Sequence, residues 1–144
     1  MKRFLIVPTL TVMLACGPTE PRIPDISGLW SFTASVANPT ISWSCEGNGI
    51  FNITQTGETF AGSYELKSAA CTTPSGTVNL GLTAGALSQG TINDQRVTFS
   101  DDRGCNYGGE LIGSPPNKMS GNASCLLTLG SAAASFTGTW QANH

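Results

Sequence analysis

The chain has 144 residues, and its seven Lys and Arg against nine Asp and Glu give a formal charge of −2. That balance offers no basic face, which excludes an electrostatic nucleic-acid binder. Its single histidine, His144, is the last residue; a chain end is a poor place for a general base, which excludes catalysis by His pairs or His triads.

The chain opens on basic Met1-Lys2-Arg3 and an apolar run over residues 4–15. About a dozen apolar residues are fewer than the roughly 20 that span a bilayer, but they suit the core of a signal peptide. The run ends in Met13-Leu14-Ala15-Cys16-Gly17, which resembles the lipobox of bacterial lipoproteins. The resemblance implies a signal peptide over 1–15, and a lipidated Cys16 as mature N-terminus and membrane anchor in the bacterial cell envelope. An ordinary secretory signal cleaved near Ala15 is the alternative. Gly17 in place of Asp points to the outer rather than the inner membrane.

Loss of Lys2 and Arg3 leaves five basic residues against the nine acidic, a net charge of −4. Such a chain has no polybasic patch for a membrane, so lipid would be its anchor. Residues 16–25 form a tether with Pro18, Pro21 and Pro24, reaching at most about 30 Å. The remaining 26–144 are enough for one domain with one core.

Within that domain, Ile26, Gly28, Trp30, Phe32, Ala34 and Val36 alternate with mostly polar residues, the pattern of a half-buried strand. Asn38-Pro39 breaks it, and Ile41, Trp43 and Cys45 begin the second strand. Phe51, Ile53 and Gln55, a turn at Gly57, then Phe60, Gly62, Tyr64 and Leu66 read as a hairpin with one buried face. Val78, Leu80 and Leu82 make a short apolar alternation. Residues 87–92 and 97–99 flank Asn93-Asp94 as another hairpin, and 101–104 is a loop. Residues 107–112 and 119–127 flank Ser114-Pro115-Pro116-Asn117, and 136–140 closes the chain.

A unit of apolar residue, spacer, Gly, spacer, apolar residue recurs at 26–30, 60–64, 119–123 and 136–140. It places each Gly on the core face between two packed side chains. Glycine there suits a sheet that bends tightly to close on itself. Serial hairpins without helical periodicity predict an all-β fold, a single antiparallel up-and-down β-barrel. A closed meander needs an even strand number, so one of nine candidate strands should fall outside the ring. The weakest is 78–82, which leaves eight. The first and last segments, 26–36 and 134–142, should pair, with Trp30 and Trp140 facing inward.

Beyond Cys16, four cysteines allow three pairings. Cys45 and Cys71 are equidistant from residue 58, at one hairpin turn, and Cys105 and Cys125 from residue 115, at another. That symmetry favours Cys45–Cys71 and Cys105–Cys125. Cys71 has the opposite parity to Phe60, Gly62 and Tyr64, so its pairing requires a bulge or a loop position. A four-cysteine zinc site is the competing reading, but no Cys-x-x-Cys is present, and no metal or other cofactor is expected.

No Gly-x-Ser-x-Gly, phosphate loop or His-Glu-x-x-His is present, and the chain reads as non-enzymatic. Glu65 and Glu110 have outward parity, and Glu58, Asp94, Asp101 and Asp102 read as solvated turn charges. Trp30, Phe32, Phe51, Tyr64, Phe99, Phe136 and Trp140 have inward parity. An eight-stranded barrel holds either its own side chains or one small ligand. These rings either fill it or, with Trp30, Phe32, Gln55, Tyr64 and Trp140 as contacts, line a site for a small apolar ligand. Gln55 sits near a turn, where it suits a cap on the barrel's mouth.

Gly28-Leu29-Trp30 and Phe60-Ala61-Gly62-Ser63-Tyr64 resemble the first and third strands of avidin-like barrels, and lipocalins likewise open with Gly-x-Trp. The resemblance implies a lipocalin- or avidin-like barrel, with Tyr64 at the position of a biotin-binding tyrosine. Phe32 stands where the avidin pattern has a biotin-binding asparagine, so the shared feature is barrel construction rather than biotin. Small periplasmic metalloprotease inhibitors have a similar barrel and start. The expected role is a membrane-anchored envelope module that binds a small apolar ligand or a protein partner. A structural or stress-related surface lipoprotein with a filled barrel is the alternative.

Overall fold

The structure is a computed structural model that describes residues 22–81, 83–129 and 132–144. The leader, Cys16 and most of the tether lie outside the described residues, as does Leu82. No described residue is helical. The strands are β1 (Gly28–Asn38), β2 (Trp43–Thr56), β3 (Thr59–Thr73), β4 (Gly76–Asn79), β5 (Ala84–Asn93), β6 (Arg96–Asp101), β7 (Cys105–Gly113), β8 (Pro116–Leu129) and β9 (Ala132–Asn143).

Alternation of apolar and polar residues gives each long strand one buried face. Along β1, Trp30, Phe32 and Val36 are buried while Leu29, Ser31, Thr33 and Ser35 are exposed. Burying that face on every strand at once curls the sheet until it meets itself. The antiparallel ring runs β1-β2-β3-β5-β6-β7-β8-β9 and returns to β1, a closed eight-stranded up-and-down barrel. Closure is made by the first and last strands, from Ser31 opposite Asn143 to Ala37 opposite Thr137. Trp30 and Trp140 both face inward, as the sequence pattern predicts.

The ninth strand, β4, overlaps the weak 78–82 segment only at Val78 and Asn79, and it is a strand without being a stave. The 15-residue β3 outlasts its neighbour: Thr59–Glu65 pairs with β5, and Ala70–Thr73 then pairs with β4. Backbone groups that β5 is too short to reach are thereby satisfied.

Between Asn48 and Gly49 of β2 the register with β3 jumps, and Lys67 is the residue left without an opposite. That bulge reverses the parity of β3, so Cys71 faces inward and is fully buried. Cys45 lies directly opposite Cys71, and Cys105 opposite Cys125, with Cα atoms 4.0 and 3.9 Å apart; both pairs are disulfides. Both clip the same end of the barrel, where β1, β3, β6 and β8 finish.

Three of the four recurrent glycines mark places where neighbouring backbone leaves no room for a side chain, and the fourth, Gly28, faces the His144 ring. A Cβ at Gly62 would overlap the carbonyl of Asn52, one at Gly121 that of Gly108, and one at Gly138 that of Ser35. Inside, rings stack in a column. Phe32 lies on Phe51 with centroids 4.0 Å apart, Phe99 on Tyr107 at 4.7 Å, and Trp140 meets Phe99 edge-on at 5.1 Å.

Candidate functional site

The two ends of the barrel differ. At the end where the chain enters, Trp30 Nε1 donates to the Ile26 carbonyl at 2.8 Å, and Ile26, Met119 and Ala142 are fully buried. Gln55 Oε1 accepts from Ile26 N at 2.8 Å, while its Nε2 donates to the carbonyls of Pro24 and Gly57 at 3.0 and 2.9 Å. One amide thus fastens the incoming chain to the β2–β3 turn. His144 is held too: its amide donates to the Asn117 carbonyl at 3.0 Å, and its ring sits edge-on to Trp30 at 4.9 Å. This end is closed.

The disulfide end is open and holds a cavity of about 90 Å³. Its floor is Phe32 and Tyr107, and its walls are Leu66, Leu80, Leu127 and cysteines of both disulfides. Such a lining is mainly apolar. Polar groups gather on one side, where the β6–β7 loop folds over the rim. The Tyr64 hydroxyl donates to Asp102 Oδ1 at 2.8 Å, and the Tyr107 hydroxyl to Asp101 Oδ2 at 3.0 Å. Asp101 Oδ1 accepts from the amides of Arg103 and Cys105, and Asp102 Oδ2 from the amide of Ala86. Gly85 makes room for this arrangement, since a Cβ there would overlap Asp102 and lie 2.6 Å from the Tyr64 hydroxyl. Arg103 Nη1 donates to Thr83 Oγ1 at 3.0 Å.

The electrostatics follow from these contacts. Burial first, and then the Asp102 hydrogen bond, pushes the Tyr64 hydroxyl well above the usual tyrosine range. Tyr107 is pushed up by burial and then by the charge of Asp101 and its hydrogen bond. Asp102 is lowered by the Ala86 amide and then the Tyr64 hydroxyl, both of which favour the carboxylate. Among the described residues no buried side-chain polar atom lacks a partner, and no group of three His, Cys, Asp or Glu is placed to hold a metal. Hydroxyls and carboxylates at the rim are therefore committed to each other, and what the cavity offers a ligand is apolar contact.

Of the residues singled out from the sequence, Phe32 and Tyr64 line this cavity. Trp140 lies beneath it against Phe99 and Tyr107, and its Nε1 donates to the Gly108 carbonyl at 3.3 Å. Trp30 and Gln55 belong to the closed end, with Gln55 acting as a cap. Cys45, Cys71, Cys105 and Cys125 form the two clips beside the mouth, while Cys16 lies outside the described residues. Asp102 is the exposed turn charge the sequence suggests and Asp101 is half-buried, but both carboxylates also accept from the rim tyrosines because the loop returns to them. Tyr107 was not among the inward aromatics. Its spacing of two from Cys105 was the available signal, since i and i+2 share a strand face. Glu65 and Glu110 are outward and exposed. The outer wall carries broader and more open concavities, one of about 930 Å³ lined by Thr98, Asn106, Asn122 and Thr139 together with Phe99, Tyr107 and Ala123. Comparison of the chain with protein-family models, curated proteins and solved structures found no match.

Proposed function

We propose that this chain is a lipid-anchored, non-enzymatic binding module of the bacterial cell envelope, placed at the outer rather than the inner membrane, and that it binds through the open end of its barrel. The carrying observation is the opposition of the two ends. The chain enters at the closed end, where Gln55 holds Pro24 and Ile26, and the apolar cavity opens at the other. An anchor on Cys16 would then set the closed end toward the bilayer and turn the mouth away from it.

Cavity size favours a protein partner over an enclosed small molecule. About 90 Å³ is well below the roughly 300–1,000 Å³ of ligand pockets, and the rings occupy the rest of the interior. Like the single-residue pockets at protein interfaces, it has room for one anchoring side chain. The filled barrel leaves the structural surface-lipoprotein reading its own support, and a partner at the mouth separates the two. The protease-inhibitor reading needs a free N-terminal segment, whereas Pro24 and Ile26 are fastened down.

The anchor is tested by replacing Cys16 with Ser and fractionating the cells. The expected result is release from the membrane fraction with loss of the acyl mass. A protein that stays membrane-bound, with the same mass as the unsubstituted form apart from the one atom exchanged, overturns the lipoprotein reading.

A further inference from the structure

We infer that the open end accepts an extended segment of a partner polypeptide as an added strand, with one aliphatic side chain of that segment entering the cavity. The inference rests on the open end being the binding end, and it specifies what binds there.

The ring is complete only in its lower part. β5 starts at Ala84 opposite Glu65, β6 stops at Asp101, and β7 starts at Cys105 opposite Cys125. Past those points β5, β6 and β7 no longer contribute to the wall: β4 continues beside β3, β2 and the end of β1, while β8 continues beside β9 alone, since β9 leaves β1 after Ala37 opposite Thr137. Among the described residues, β4 pairs on one side only, and β8 past Cys125 receives from the β7 side a single bond, Leu126 N to the Gly104 carbonyl. Two strand edges therefore flank a slot. The cavity lies in it, since Leu80, next to β4, and Leu127, on β8, line the same space.

Register shows what each edge presents. Leu80 N donates to the Ala69 carbonyl. Because hydrogen-bonded pairs alternate along an antiparallel ladder, Thr77 and Asn79 turn their amides and carbonyls away from β3. On β8, Leu126 N points to the β7 side, and Thr128, two residues on, points the same way. Unpaired edge groups of this kind are where a peptide adds as a strand, backbone bonds giving affinity and alternate side chains specificity. Val78 lies opposite buried Cys71, so it faces the slot, and it is 46 % exposed. A strand laid beside it would cover it.

The cavity selects the side chain. About 90 Å³ is roughly three waters' worth of liquid volume, room for one branched aliphatic group. The chain's own tether is a poor occupant. Residues 17–23 reach at most about 25 Å, and they start from the closed end, roughly 30 Å of strand away from the slot.

The test uses the full chain with Cys16→Ser, so that its outcome is independent of lipidation, which the fractionation experiment reads separately. The probe is a phage-displayed library of random linear heptapeptides. The expected result is enrichment of peptides carrying an aliphatic residue between polar ones. Asn79→Pro, which removes an edge amide while leaving the β3 ladder intact, should weaken a selected peptide at least tenfold. Leu127→Trp, which fills the cavity, should do the same, and Asn79→Ala should leave binding unchanged. If Leu127→Trp does not fold, the contrast between Asn79→Pro and Asn79→Ala decides alone. No enrichment, enriched peptides that bind Asn79→Pro as well as Asn79→Ala, or a dimer of the chain that forms without peptide capture each overturn the inference.

Discussion

Tyr64 and Tyr107 are the chain's two tyrosines, and both end on carboxylates at the rim. Ionising either would place a phenolate against Asp102 or Asp101, and burial adds to that cost. Their pKa values are therefore higher in the fold than in the open chain. Such a group contributes stability below its open-chain value and loses it as the pH climbs toward the folded one. Tyrosinate absorbance, read during an alkaline titration, should stay absent through about pH 10, where an exposed tyrosine is half ionised. It should then rise together with loss of the fold. Half the tyrosinate signal near pH 10, with the barrel intact, would show that one hydroxyl is free and that the contact on Asp101 or Asp102 is not made. Asp102 acts at the opposite end of the scale: its lowered pKa gives a contribution present at neutral pH and lost in acid, small because the group is exposed.

Among the elements, β9 carries the most consequence. It lies between β1 and β8 and brings Phe136, Trp140 and Ala142 into the core. Truncating one such ring to Ala costs about 3–5 kcal/mol, a large part of the roughly 5–15 kcal/mol that holds a domain folded. Removing residues 132–144 also opens two long edges. The truncated chain should show no cooperative transition in denaturant; a sharp two-state curve would mean that the strands do not depend on closure. Strand pairing was legible in advance because period-two burial is a local signal. β1 and the β2–β3 hairpin could be read directly, and the parity of Cys71 required either a bulge or a loop position, of which the bulge at Lys67 is the one seen. The role of β4 was not legible, since it depends on β3 being longer than β5, a comparison between strands rather than a property of residues 76–79. The rim network was hidden for a related reason. Asp101 ends β6 and Asp102 begins the turn after it, and nothing in a turn's composition says which tyrosine it folds back upon.

For the whole molecule, the ends and the interior together define how it can work. One end is shut by Trp30, Ile26 and Gln55, the middle is occupied by stacked rings, and the other end keeps space for about one side chain. A barrel built this way leaves little room for cargo inside, and in the proposed reading it binds at the mouth, where a partner places no more than one side chain in the cavity. Inward parity, read from sequence, located the rings but not whether they met, because filling depends on ring orientation across strands far apart in the chain. The most direct test is native mass spectrometry of the protein isolated from the cells that make it. The account predicts the mass of the chain with two disulfides and its anchor, and no small molecule retained until unfolding. A stoichiometric small molecule that leaves only when the barrel unfolds would contradict it.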